Sequence, residues 1–326
     1  MAETTLRLVG DIGGTNARLG VARTGDGRRG AGLTAIEQIA HLATAEYASA
    51  EAALVQYVAS LPADRKPVEA VLAVAGPVVH GVADLTNAKG WHLDERSLAA
   101  ALGLARVRVI NDFAALALAV AEFDAADLHP VGGCGLIDAT QTVSLIGPGT
   151  GTGVGARLVD GTTTAILVCE GGHIAFAPGD ALELELLRVL ARRFGRVSVE
   201  RILAGQGLVN LHQALAEIEG RDVAETTPGA ITDAALQGDA LALATLNRFF
   251  AILGGVAGDL ALVHGALGGV VLAGGILPRV SNLLDQSSFR ARFEDKGRMS
   301  ILLRQIPTNL LIATDVALSG AAGLRL

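Results

Sequence analysis

The stretch "VGDIGGTNARLG", residues 9–20, sets four glycines and one acid between apolar residues. Leu6–Val9 and Arg18–Ala22 read as two strands, and the glycines between them as a tight turn. A second unit of the same kind, "VSLIGPGTGTGVGARLV", occupies residues 143–159. Laid on the first, "GDIGGT" matches "IGPGTG", with Asp11 over Gly147 and Gly13-Gly14-Thr15 over Gly149-Thr150-Gly151. One hairpin design used in each half of the chain restricts the fold to architectures that can place it twice.

The 326 residues exceed the size at which a single core stops growing, so two domains are expected. Hydrophobic residues make up 51% and aromatic ones only 3%, so the core must be aliphatic. Net charge is −7 with no basic run, which argues against nucleic acid as a partner. A phosphorylated small molecule stays allowed, because backbone N–H groups bind phosphate without a basic surface. Cys134 and Cys169 form no CxxC pair, so neither a disulfide framework nor a cysteine-rich zinc site is expected, and a reducing cytoplasm fits. The start "MAETTLRLVGD" has no signal-peptide pattern. The apolar stretch 250–277 is broken by Asp259, His264 and Gly-Gly pairs, which suits a core helix and a strand better than a membrane span.

Periodicity supplies the remaining elements. Residues 44–60 carry a helical pattern ending before Pro62, and "AVLAVAGPV" (70–78) reads as a buried strand. Residues 104–123 switch from strand alternation to helical spacing at Asp112, so Asn111 and Asp112 sit where strand hands over to helix. Helical patterns dominate 179–267 with a turn-rich break at 220–230. "GGVVLAGGILPR" (268–279) runs from a strand into a third glycine turn, and 314–326 is a final helix that returns to the first domain.

No Walker A sequence occurs, and the strict G-x-G-x-x-G, Gly25–Gly30, lies in a polar loop that opens no helix. The glycine hairpins offer another route to phosphate. Without Cβ atoms at the turn, backbone N–H groups approach phosphate oxygens closely, and Thr15 and Thr150 each add a hydroxyl. Two such hairpins facing one another would clamp a triphosphate; either alone is equally a plain tight turn. Asp11 beside phosphate needs a cation between them, for which Mg²⁺ with its retained waters is the natural occupant. The competing reading is a carboxylate that only satisfies turn amides. Asp112 reads either as a helix N-cap or as a general base at a strand end. "CEGGHIAFAP" (169–178) sets Glu170 and His173 around a Gly-Gly turn, and Glu200 opens "ERILAGQG". These three suit a ligand rich in hydroxyls, although Glu200 alone reads as a solvated helix residue. Cys169 and His173 lack the further ligands of a tetrahedral zinc site.

These pieces, in order from residue 10 to about residue 307, resemble bacterial glucokinases of the hexokinase/actin-like ATPase superfamily, in the branch distinct from the zinc-containing repressor/kinase family. The segments that carry the resemblance are "GDIGGTNARLG", "AVAGPV", "LTNAKGWHLD", "VINDFAALALAV", "GPGTGTGVGARL", "EGGHIAFAP", "ERILAGQGLVNLHQAL", "VVLAGGILPR" and "FRARFEDKGRMSILLRQIP". It implies a two-domain α/β fold of the actin-like ATPase (ribonuclease H-like) type, with mixed sheets and ligands in an interdomain cleft. The small domain would take 2–112 plus a C-terminal helix within 307–326, and the large one 113–306. The implied ATP-binding residues are Gly10, Asp11, Ile12, Gly13, Gly14 and Thr15, then Gly147, Gly149, Thr150 and Gly151, with Gly274 and Gly275 near the nucleotide. Asp112 would be the catalytic base, and Asn87, Asn111, Asp112, Glu170, His173 and Glu200 the sugar ligands. Asp11 would hold Mg²⁺ through water. The implied reaction moves the γ-phosphoryl group of ATP to glucose, giving glucose 6-phosphate, in a cytoplasmic homodimer with no nucleic-acid or membrane partner. Fructose, mannose or an N-acetylhexosamine are the alternative substrates, and a non-catalytic actin-like nucleotide sensor the alternative class. The cysteine cluster of the zinc-containing branch is absent after His173, which leaves that histidine to the sugar.

Overall fold

The computed structural model describes residues 5–24, 34–85, 90–224 and 226–326. The chain packs as two units. One takes Met1–Ala126, Ile166–Val168 and Ala313–Leu326, the other Asp127–Ala165 and Cys169–Ile312.

In the first unit, β1 (Thr5–Ile12) and β2 (Asn16–Thr24) form the expected hairpin, and β3 (Ile36–Ala43) extends it antiparallel. The helix expected over 44–60 starts only at Ala50, because the Ser49 side chain caps it by accepting from Ala52 N. This α1 (Ala50–Ser60) stops ahead of Pro62, which biases Leu61 to extended backbone. β4 (Glu69–Val74) is buried throughout and runs parallel to β1. A short pair, β5 (Val82–Asp84) and β6 (His92–Asp94), leads into α2 (Glu95–Leu102). β7 (Arg106–Asn111) then pairs parallel with β4 and hands over directly to α3 (Asp112–Ala119). The sheet order is β3-β2-β1-β4-β7.

Both faces of this sheet are covered, so β4 runs unbroken and apolar from Ala70 to Val74 without polar alternation. Leu8, Ile12, Leu19, Val21, Leu72 and Val74 pack with Leu54, Tyr57 and Leu98 of α1 and α2 on one face. Val9 and Val71 meet Leu318, Ala321 and Ala322 of the C-terminal helix (Val316–Gly323) on the other. Arg7 shares that second face and is 4% exposed. Its guanidinium donates to Glu69 Oε1 and to the carbonyls of Ala322 (2.6 Å) and Leu324 (2.5 Å), closing the end of the C-terminal helix.

The second unit repeats the strand order and adds one antiparallel edge strand, β8 (Leu128–Gly132). That strand is followed by the second hairpin, β9 (Val143–Pro148) and β10 (Thr152–Asp160), and by β11 (Thr163–Cys169). Helices α4 (Ala181–Phe194), α5 (Gly205–Ile218), α6 (Pro228–Leu236) and α7 (Ala240–His264) come next. β12 (Gly269–Leu272) and β13 (Thr308–Leu311) complete a sheet of order β11-β10-β9-β12-β13-β8. In each unit an antiparallel hairpin is followed by two parallel strands, which makes both sheets mixed. Helix α7 is long and apolar enough to cross a membrane, yet it is mostly buried, with Phe249, Phe250, Leu253 and Ala257 in the core. The stretch 250–277 is thus a core helix and a strand.

The sequence-based division at residues 112 and 307 moves at both places. Helix α3 packs against the C-terminal helix and so extends the first unit to Ala126. Thr308–Leu311 pairs with β12 and belongs to the second.

The Arg7–Glu69 pair lies inside the fold, and Glu69 Oε2 also accepts from the more exposed Arg106 at 2.9 Å, so removing Arg7 leaves the carboxylate one partner while freeing the carbonyls of the C-terminal helix. Arg7→Met is expected to lower the unfolding free energy by about 1–3 kcal/mol in urea titrations, the cost of leaving buried acceptors unsatisfied. A loss below about 1 kcal/mol would show that the C-terminal helix is held by its apolar face alone.

Candidate active site

The first hairpin turns through Gly13, Gly14 and Thr15, closed by Gly13 N donating to Asn16 O at 2.9 Å. Thr44 clamps the turn from outside: its hydroxyl donates to Gly14 O (2.9 Å) and its N–H to Thr15 O (3.0 Å). The Gly14 and Thr15 carbonyls are therefore occupied, while among the described residues no protein acceptor takes the Gly14 and Thr15 N–H groups. That arrangement presents donors, which is what an anion requires. The second hairpin is similar but one residue tighter. Ile12 pairs with Ala17 across four intervening residues, whereas Pro148 pairs with Thr152 across three, closed by Gly149 N donating to Gly151 O at 2.8 Å.

Asp11 follows Val9 by two residues in β1 and so faces the C-terminal helix. Its Oδ2 accepts from Arg18 Nη2 at 2.5 Å, and Arg18 Nη1 donates to Asp315 Oδ1 at 3.1 Å. Arg18 is the direct cross-strand partner of Asp11, so hairpin register alone brings them together. Asp315 heads the C-terminal helix with a left-handed backbone, φ 59°, unusual for a residue other than glycine. No cluster of three or more metal-ligating side chains exists among the described residues. With a guanidinium on one oxygen, Asp11 suits an aquated Mg²⁺ already carried by phosphate, held through water. It does not suit direct coordination beside Arg18.

At the end of β7 the cap belongs to Asn111, not Asp112. Asn111 Oδ1 accepts from Phe113 N (2.9 Å) and Ala114 N (3.2 Å), and its Nδ2 donates to Gly76 O (3.2 Å). Asn111 is thus buried and committed to the backbone on both sides, with one amide hydrogen beyond the Gly76 bond. Asp112 is the first residue of α3, half-buried, with Oδ1 accepting from Phe113 N at 2.9 Å. The helix N-terminus favours its negative charge.

In the second unit Glu170 precedes a single 3-10 turn, Gly171–His173, which His173 closes, and both side chains are exposed. Gly171 and Gly172 let this turn lie against β10: a Cβ on Gly172 would stand 2.3 Å from Thr152 O. Arg196 Nη2 holds His173 O at 2.7 Å. Glu200 sits in the 3-10 turn Val199–Arg201, with Oε1 3.9 Å from His173 Nε2 and Oε2 accepting from Thr152 N at 2.8 Å. His173, Glu200 and the second hairpin are thereby brought together. Cys169 precedes Glu170, and burial pushes its thiol up, away from the reactive thiolate. Gly274, with φ 91°, presses on the end of β9, where a Cβ would meet Pro148 O at 2.2 Å. Asn87 and the loop Gly25–Gly30 lie outside the described residues.

Sequence reasoning missed Thr44, Arg18, Asp315 and Arg196. Arg18 was available from the hairpin register; Asp315 lies 297 residues further on and carries no local signal.

Two units that share one five-strand order, each built on a glycine hairpin, define the actin-like ATPase fold, and structures of sugar kinases superpose on this chain throughout. A glucokinase from an Antarctic psychrotroph is 37% identical, with a TM-score of 0.87 over 98% of both chains. A ROK family glucokinase from Streptomyces griseus, solved with glucose and AMPPNP, shares the fold at 21% identity and a TM-score of 0.64, over 98% of both chains. In sequence, a glucokinase from Caulobacter sp. (strain K31) is 46% identical over 317 residues, 97% of this chain and 94% of that relative. The glucokinase family model matches residues 8–325, and the chain belongs to the glucokinase family.

The cap geometry is directly testable. Asn111→Ala removes both cap bonds and should lower unfolding free energy by about 1–2 kcal/mol, whereas Asn111→Asp keeps the cap acceptor but sets a carboxylate oxygen against Gly76 O and should recover only part of that loss. Equal losses in thermal melts would assign Asn111's stabilising role to the Gly76 bond instead.

Proposed function

We propose that this protein phosphorylates glucose with ATP, giving glucose 6-phosphate and ADP, and that Asp112 is the base. The observation that carries the assignment is the division of labour at the start of α3. Asn111 Oδ1 caps both Phe113 N and Ala114 N, so the bond that Asp112 Oδ1 accepts from Phe113 N duplicates a cap already made and does not by itself call for a carboxylate there. The family match across residues 8–325 supplies the reaction class.

In this reading the Asp112 carboxylate accepts the proton of the sugar 6-hydroxyl. The hydroxyl oxygen bonds to the γ-phosphorus, and the bond from that phosphorus to the ADP oxygen breaks. The transition state is loose, so positioning and charge stabilisation matter more than a strong base. The donor-presenting turns at Gly13–Thr15 and Gly149–Gly151 receive phosphate oxygens. Gly10, Ile12 and Gly147 shape these turns, and Gly274 and Gly275 lie toward the nucleotide. Glu170, His173 and Glu200 hold sugar hydroxyls, which donate to carboxylates, and Asn111 contributes its remaining amide hydrogen. Bound Mg²⁺, held through water by Asp11, would neutralise phosphate charge. Arg18 keeps the Asp11 carboxylate oriented. The same reading makes the enzyme a cytoplasmic homodimer, to be checked by light scattering.

A coupled ADP-release assay across glucose, fructose, mannose and N-acetylglucosamine tests the substrate; equal kcat/KM for glucose and N-acetylglucosamine would move the protein to the hexosamine kinases. Asp112→Asn keeps shape and hydrogen bonding but cannot take the proton. It should cut kcat by ~10²–10⁴ while glucose affinity stays within a few-fold, and a fully active variant would end the assignment. Asp11→Ala should lower turnover sharply with glucose affinity nearly intact. Calorimetry showing that affinity lost as well would make Asp11 a structural partner of Arg18 only.

A further inference from the structure

Glu200 faces two ways. One carboxylate oxygen lies 3.9 Å from His173 Nε2, and the other accepts from the N–H of Thr152, the first residue after the second glycine turn. The segment around it is strapped to the same turn twice more. Thr152 Oγ1 donates to Leu203 O at 2.6 Å, and Gly205 N donates to Gly149 O at 2.8 Å. Gly151 leaves room for the carboxylate, since a Cβ there would stand 2.6 Å from Glu200 Oε2.

We propose that Glu200 is a positioning residue for the nucleotide turn as well as a sugar ligand, coupling the two substrates through one side chain. The proposal rests on the reading above, in which the turn takes ATP and Glu200 a sugar hydroxyl. The Thr152–Glu200 bond is charge-assisted and stronger than a neutral one, so it fixes where the turn following Gly149 stands. A sugar hydroxyl donating to Oε1 fixes the plane of the carboxylate and with it the position of Oε2. Sugar binding therefore orders the turn for phosphate, and by linkage nucleotide binding tightens sugar by the same factor. A residue that only bound sugar would need no partner on the hairpin backbone.

Calorimetric titration of a non-hydrolysable ATP analogue into sugar-free and glucose-saturated protein tests this with three variants, their folding checked by melting curves. Glu200→Ala should weaken the analogue about tenfold even without sugar, the loss expected for a hydrogen bond to a charged group. Glu200→Gln keeps a carbonyl oxygen for Thr152 N and should restore analogue affinity while glucose stays weakened. Gly151→Ala keeps the sugar ligand but crowds Oε2, and should weaken the analogue more than glucose. Unchanged analogue affinity in Glu200→Ala, with glucose alone weakened, would overturn the proposal and leave Glu200 a sugar ligand. The sugar-free titration stays decisive even if glucose proves not to be the substrate, so the two readings fail separately.

Discussion

One face of β1 organises the first unit. Arg7, Val9 and Asp11 alternate onto the side where the C-terminal helix lies, and each meets a different part of it. Arg7 closes the helix's last carbonyls, Val9 packs on its apolar stripe, and Asp11 reaches Asp315 at its start through Arg18. A cation at the carboxyl end also suits the helix dipole. Because strand period is two, the residues that fix the helix and the carboxylate beside the first glycine turn cannot be separated. A one-residue slip would put Arg7 and Asp11 into the aliphatic layer of α1 and α2.

The second unit uses a buried carboxylate for a comparable purpose. Glu183 is 0% exposed and accepts from Gly179 N (2.7 Å), Arg248 (2.8 Å) and Arg292 (2.8 Å). It pins the segment that follows His173, while Phe176 N donates to Val197 O and Val199 N to Ile174 O, zipping it to the segment that carries Glu200. Glu170, His173 and Glu200, the proposed sugar ligands, stand on or beside short turns rather than on regular elements, and these bonds give the turns their rigidity. Where a charge is buried, its partners are in place, as its desolvation cost requires.

The same hairpin serves both units with one difference that local pattern does not carry. Asp11 in the first aligns with Gly147 in the second, and the second turn is one residue tighter. The first hairpin thus supplies a charge with its own counter-ion. The second supplies backbone alone and takes its carboxylate, Glu200, from elsewhere in the chain.

Much of this was legible in the sequence because it is local. Glycine turns between apolar runs fixed both hairpins, the switch of period at Asp112 located the strand-to-helix junction, and a buried run with interruptions identified α7. Motif order pointed to the sugar-kinase family. Local pattern could not choose which of Asn111 and Asp112 caps α3, since both side chains are good caps and the choice depends on the backbone angle at the strand's end. Nor could it start α1 at Ala50 instead of Thr44, or give β13 to the second sheet. Asp315 beside Arg18, and Glu200 on Thr152, are contacts between residues far apart in the chain. The sequence by itself determined which chemical groups the protein carries and which turns present them. Tertiary structure alone decided their partners, because a side chain's charge compensation depends on what distant segments bring to it.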